Sequence, residues 1–115
     1  MEDFSPLVAC VRISIENPSN ESNSVFGLGI AKLCVGVREK GSLYAAAKSM
    51  GMAYSKAWRI MKDTETALGM QLLNRDGAHG SDLTEAGNKL LDVYLELESK
   101  IQADTKGTFL KLVKG

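Results

Sequence analysis

The residues best placed for chemistry lie in one amphipathic segment in the middle of the chain. Residues 53–68 carry apolar side chains at helical spacing, so the segment is expected to form a helix with one face on a core. At about 100° per residue, four polar residues fall together on the opposite face: Ser55, Arg59, Lys62 and Thr66. Arginine can fork onto a guanine edge, a serine near a helix N-terminus can bond a base or phosphate, and lysine suits phosphate as a point charge. The alternative is an ordinary solvated helix face.

Two aromatic residues adjoin this face. Tyr54 and Trp58 could stack on a sugar or base, but rings near a helix start also complete the edge of a core, and for Trp58 the core interpretation is favoured. Lys56 flanks the same surface.

Two further candidates lie beside the tip of a β-hairpin that we predict over residues 72–83. Such a hairpin, or wing, can touch the DNA backbone or the neighbouring minor groove when it follows a helix that reads DNA. Arg75 could make such a contact, and His79 could do so or simply be exposed, as a lone histidine in a glycine-rich loop usually is. The predicted DNA-contacting set is Ser42, Tyr54, Ser55, Lys56, Arg59, Lys62, Thr66, Arg75 and His79.

The charge distribution favours a nucleic-acid partner even though the formal net charge is zero. Residues 36–62 hold six basic side chains and only one acidic one, Glu39. Residues 1–35 and 63–115 are acidic on balance, so the positive charge is concentrated beside the candidate surface.

Other classes of protein find little support. No glycine-rich phosphate loop, catalytic triad spacing or metal motif is present, so we expect neither an enzyme nor a cofactor. Cys10 and Cys34 are too few and too isolated for a disulfide framework or a zinc site. No apolar run reaches the roughly 20 residues of a membrane helix, and the acidic N-terminus does not resemble an export signal, so a cytoplasmic location is expected.

The elements that must position the surface follow from periodicity and punctuation. Strict alternation over 11–16 predicts a strand, and the polar residues 17–24 predict a loop. Helices are predicted from about Gly27 to Gly41, from the N-cap Ser42 to Gly51, and over 53–68. Residues 72–75 and 81–83 are predicted to form a hairpin around the loop 76–80, and Thr84 to cap a long last helix. For 105–115, strand, helix and frayed tail remain open, so we set the domain at 1–104.

Four sequence blocks resemble known regulators. They are Phe26-Gly27-Leu28-Gly29-Ile30-Ala31, Gly41-Ser42-Leu43-Tyr44-Ala45-Ala46-Ala47-Lys48, Gly51-Met52-Ala53-Tyr54-Ser55-Lys56-Ala57-Trp58-Arg59 and Leu83-Thr84-Glu85-Ala86-Gly87. Together they resemble the N-terminal DNA-binding domain of the molybdate-responsive ModE regulators, and the last two also resemble LysR-type winged helices. The chain departs from the ModE pattern at Ala53, where a capping serine is common, at Ser55, where a basic residue is common, and in a short wing. The molybdate-binding domain of those regulators has no counterpart here, so no small-molecule ligand is expected.

The resemblance implies a mostly helical, winged helix-turn-helix homodimer joined through its first and last helices. Surplus apolar residues on those helices agree with this: Leu28, Ala31, Val35, Val93 and Leu95. The working hypothesis is a bacterial, sequence-specific transcription regulator that binds double-stranded DNA. The alternative is a winged helix that serves as a protein-interaction or dimerisation module without specific DNA binding.

Overall fold

The computed structural model describes residues 2–74 and 82–115, and its described part is mostly helical. Helices α1 (Leu28–Lys40), α2 (Leu43–Ser49), α3 (Tyr54–Leu68) and α4 (Glu85–Lys114) follow in chain order. This order confirms the predicted helix-turn-helix, and each of the first three helices lies within two residues of its predicted bounds. Residues 105–114, which the sequence left open, are the last turns of α4.

Local chemistry explains where the helices begin and end. Gly41 ends α1 in the left-handed conformation, with φ of 84°, and its N–H bonds the Val37 carbonyl. The Ser42 hydroxyl then accepts the Ala45 N–H at 3.0 Å and so caps α2, as predicted. At the start of α4, Thr84 accepts the Gly87 N–H at 2.9 Å in the same way. The sequence therefore places the breaks between helices correctly.

The core lies between α1 and the other three helices, all of which α1 contacts. Phe26 and Tyr94 are both buried and meet edge to face, with ring centroids 5.4 Å apart. Helix α2 packs very closely on α1, because a Cβ built at Gly36 would lie 2.6 Å from that of Ala46. The short helix α2 is thus fixed by backbone-level contact with α1.

The predicted N-terminal strand over 11–16 is wrong. Only Ile15 pairs, with Phe26, through two backbone hydrogen bonds of 2.9 and 2.8 Å. The alternation is nevertheless real, because the segment is extended with its apolar side chains turned inward. The neighbour here is a helix: the Gln102 amide of α4 accepts from the Val11 N–H at 2.9 Å and donates to the Ala9 carbonyl at 2.8 Å. An extended segment that packs on a helix alternates buried and exposed side chains just as a strand does, so the sequence pattern does not distinguish the two.

The predicted β-hairpin wing is not found as a pair of strands in the described residues. Leu73 and Leu83 form a single antiparallel bridge, flanked by one hydrogen bond on each side. A strand with one buried face would alternate buried and exposed side chains, but Leu72 and Leu73 are both buried. The backbone N–H groups of both residues donate to the Glu65 carboxylate. The predicted tip, with Arg75 and His79, lies outside the described residues.

Candidate nucleic-acid interface

Helix α3 presents the four predicted polar residues on one exposed face. Ser55, Arg59, Lys62 and Thr66 are all solvent-exposed. On the other side of the helix, Ala57, Met61, Thr64 and Leu68 are buried, and Ile60 is partly buried against the core. The arrangement therefore offers hydroxyl, guanidinium and ammonium groups along one side of a helix that is anchored by its opposite side.

The C-terminal end of α3 is held by groups that sequence reasoning missed. Glu65 is only 8% exposed, and its Oε2 accepts the N–H groups of Leu72 and Leu73 at 2.7 and 3.1 Å. Charge-assisted bonds of this kind are stronger than neutral ones. The carboxylate thus joins α3 to the segment that leads into the predicted wing.

The loop before α1 also reaches the end of α3. The Asn20 side-chain amide donates to the Thr66 carbonyl at 3.1 Å, and that of Asn17 donates to the Leu68 carbonyl at 3.5 Å. These carbonyls belong to the last turn, where no intrahelical donor is available. The polar loop predicted over 17–24 therefore caps the candidate recognition helix.

An aromatic pair lies at the N-terminal end of α3. Tyr54 is 43% exposed, and its ring centroid lies 5.9 Å from that of Tyr44 on α2, which is 53% exposed. Tyr44 was not among the predicted residues, because its neighbour is set by the turn between α2 and α3 rather than by spacing within one helix. Trp58 is partly buried against the core, in agreement with the core interpretation, and the Lys62 ammonium lies 5.7 Å from its ring centroid.

The basic residues of the middle segment divide into two groups. Five are exposed lysines or arginines on three helices: Lys40 at the end of α1, Lys48 on α2, and Lys56, Arg59 and Lys62 on α3. Arg38 is used instead to join α1 to α4: its guanidinium contacts the Asp92 carboxylate at 2.9 Å and donates to the Asn88 side-chain oxygen at 2.9 Å. The exposed positive charge of the middle segment is thus concentrated on α2, α3 and the end of α1.

The two side chains whose pKa is raised, Cys34 and Tyr94, both lie away from this face. Burial raises the pKa of the Cys34 thiol to about 12, and burial together with Glu98 raises the pKa of Tyr94. Both groups lie in the core rather than on α3. The part of the chain that the structure describes contains no cluster of three metal-binding side chains. No helix in these ranges combines the length and apolar character that a membrane crossing requires.

The predicted dimer residues differ in how much surface they offer. Val93 and Leu95 on α4 are 41% and 39% exposed, and Leu28 and Val35 on α1 are partly exposed. Ala31 is 2% exposed and lies in the core of its own chain, so it has almost no surface to offer a partner. On α4, Val93 and Leu97 lie one turn apart, and both are 41% exposed.

Comparison with known proteins places the helix-turn-helix in a family. The model of the bacterial regulatory helix-turn-helix proteins of the lysR family matches residues 31–88, half of the chain. Among solved structures, the chain is similar to the DNA-binding domain of CbnR in the crystal structure of its complex with DNA. The identity is 31% and the TM-score 0.56, and the match covers 68% of this chain and 92% of that one. No curated protein matches the chain. The match over α1, α2, α3 and the start of α4 shows that the chain belongs to the LysR family of bacterial regulatory helix-turn-helix proteins.

Proposed function

We propose that this protein is a sequence-specific transcription regulator that inserts α3 into the major groove of double-stranded DNA. The observation that carries the proposal is the exposed α3 face of Ser55, Arg59, Lys62 and Thr66 within a LysR-type helix-turn-helix. A helix anchored by its apolar side and polar on the other matches the way such recognition helices enter the groove. The similar CbnR domain was solved in complex with DNA, which supports the same partner here.

Each residue of the face has a proposed role. Arg59, in the middle of the helix, bonds a guanine edge through its forked donors. Ser55 lies in the first turn, where the positive end of the helix favours a base acceptor or a phosphate. Lys62, held beside the Trp58 ring, and Lys56 neutralise phosphates, and Thr66 bonds the backbone near the other end.

The remaining predicted contacts extend the surface on either side. Tyr54 packs against sugar or base at the start of α3, and Ser42 lies at the start of α2, where its hydroxyl already caps the helix. Arg75 and His79 would touch the backbone or minor groove from the wing. Within the family, the four sequence blocks support a DNA-reading head of the ModE type.

The functional unit is proposed to be a homodimer joined through α1 and α4. An apolar stripe of Leu90, Val93, Leu97 and Ile101 runs along α4 at intervals of three and four residues, and its middle members are 41% exposed. Sedimentation tests this directly. Leu97→Glu is expected to give a monomer, whereas Val8→Glu, an equally drastic change at a 61% exposed site in the N-terminal segment, should leave the dimer intact. A wild-type monomer would refute the proposal.

DNA reading is tested by selecting duplexes from a random library and measuring binding by fluorescence anisotropy. Arg59→Ala is expected to weaken specific binding roughly 5- to 150-fold, the loss of about 1–3 kcal/mol typical of a base-reading arginine. Arg12→Ala removes the same charge from the N-terminal segment beside α4 and should have a small effect. Failure to select any duplex at low salt, or an unchanged affinity in Arg59→Ala, would contradict the proposal.

A further inference from the structure

The second half of α4 extends beyond the helix-turn-helix and is held by the N-terminal segment of the chain. Of the described helices only α1 contacts α4, and no side chain of α4 beyond Tyr94 is buried. Residues 95–114 therefore span about 30 Å of helix, at about 1.5 Å per residue, outside the core. Within this length the Gln102 amide accepts the Val11 N–H at 2.9 Å and donates to the Ala9 carbonyl at 2.8 Å. Gln102 thus joins the second half of α4 to the N-terminal segment.

The same segment continues to the end of α3. Ile15 packs against the core and pairs with Phe26, just before α1. Farther along the chain, the side-chain amides of Asn17 and Asn20 donate to carbonyls in the last turn of α3. Residues 9–20 therefore connect α4 to the end of the candidate recognition helix, although α3 and α4 do not pack against each other.

This connection bears on DNA reading because α4 relates the two α3 helices of the proposed homodimer. The angle between α4 and the helix-turn-helix sets the distance and rotation between the two recognition helices, and so the spacing of the two half-sites that they read. We propose that Gln102, by holding Ala9 and Val11, fixes this angle and determines the half-site spacing that the dimer accepts. Gln102 touches no DNA in this account and is a positioning residue.

The position of Gln102 separates this role from the part of the chain shared with the family. The family model matches residues 31–88, so Gln102 and both of its partners lie outside the matched range. Because both hydrogen bonds join side chain to backbone, they fix the course of the N-terminal segment along α4 without a particular side chain at positions 9 and 11.

This inference rests on the proposed DNA binding and homodimer, and it is tested with three kinds of duplex. They are the duplex obtained by selection, versions with one or two base pairs added or removed between the half-sites, and a duplex with a single half-site. One added base pair turns the second half-site by about 35° and moves it by about 3.4 Å. The wild-type protein should therefore bind the altered duplexes at least about tenfold more weakly than the selected one.

Two alanine variants on α4 form the matched pair. Gln102→Ala removes both hydrogen bonds, whereas Ser99→Ala changes an exposed residue about one turn earlier, and both keep α4 helical because alanine is the best helix former. Loss of two hydrogen bonds should make the penalty for one added base pair about three- to tenfold smaller in Gln102→Ala than in the wild type. Ser99→Ala should keep the wild-type penalty, and both variants should bind the single half-site as the wild type does.

The outcomes distinguish this inference from the proposals beneath it. The same dependence on spacing in Gln102→Ala and the wild type overturns it and leaves DNA reading by α3 standing. Weaker binding of the single half-site by Gln102→Ala also overturns it, because Gln102 would then support the recognition helix itself. If the wild-type protein binds none of the duplexes, the proposed function fails, and if it sediments as a monomer, the proposed dimer fails.

Discussion

Two glycines in α4 give a matched test of how the helix packs against the base of the predicted wing. A Cβ added at Gly87 would lie 2.4 Å from the Leu72 carbonyl oxygen and 3.1 Å from its carbon, whereas one added at Gly107 would meet nothing within 4 Å. Alanine is favoured over glycine inside a helix by about 1 kcal/mol, so both substitutions begin with the same gain.

At Gly107 that gain should remain, and Gly107→Ala is expected to stabilise the fold by roughly 0.5–1 kcal/mol. At Gly87 the new methyl meets backbone, which cannot turn away as a side chain can. Either the first turn of α4 or the Leu72 segment must move by about 1 Å, and such overpacking costs about 1–3 kcal/mol or more. The cost of overpacking at Gly87 equals or exceeds the gain from replacing a helical glycine by alanine. We therefore expect Gly87→Ala to be about 1–3 kcal/mol less stable than Gly107→Ala.

Circular dichroism during heating and in urea measures this difference. For a chain of this length, 1 kcal/mol corresponds to a change in Tm of about 4 °C. The two variants should therefore move in opposite directions from the wild type, or at least differ by several degrees. Equal stability of Gly87→Ala and Gly107→Ala would refute the close packing of α4 on Leu72.

Three further predictions concern groups outside the α3 face. Glu65→Gln should destabilise the fold by about 1–2 kcal/mol in urea unfolding, because two charge-assisted bonds become neutral, whereas the exposed Asp63→Asn should change little. Gln102→Ala should speed amide hydrogen exchange in the last turns of α4 but not in its first turns, since only the former depend on the N-terminal segment; uniform exchange would contradict this. At pH 8 a thiol reagent should modify Cys10 in the native protein and reach Cys34 only after unfolding, because burial raises the pKa of Cys34 to about 12.

The helices and the α3 face could be predicted because their signals are local. Periodic apolar residues identify which side of a helix is buried, and residues such as Ser42 and Gly41 mark its ends through bonds to their own neighbours. The alternation at 11–16 is equally local, but it reports only that one side is covered. It does not say whether a strand or α4 covers it, and here Gln102 takes the place of a neighbouring strand.

Glu65 and Tyr44 were missed for a different reason. An acidic residue beside a core face is usually solvated, and only the folded position of Leu72 and Leu73 gives the Glu65 carboxylate two buried donors. The Tyr44 ring meets Tyr54 because of the angle between α2 and α3. Contacts between elements depend on tertiary geometry, which the spacing within each element does not contain.

The central claim is that DNA meets the protein at the outer face of α3, and amide chemical shifts measured during titration with the selected duplex test it most directly. The largest changes should fall on residues 54–66, and α4 beyond Leu91 should be unaffected. Changes confined to α4 or to the N-terminal segment, with α3 unperturbed, would contradict the account.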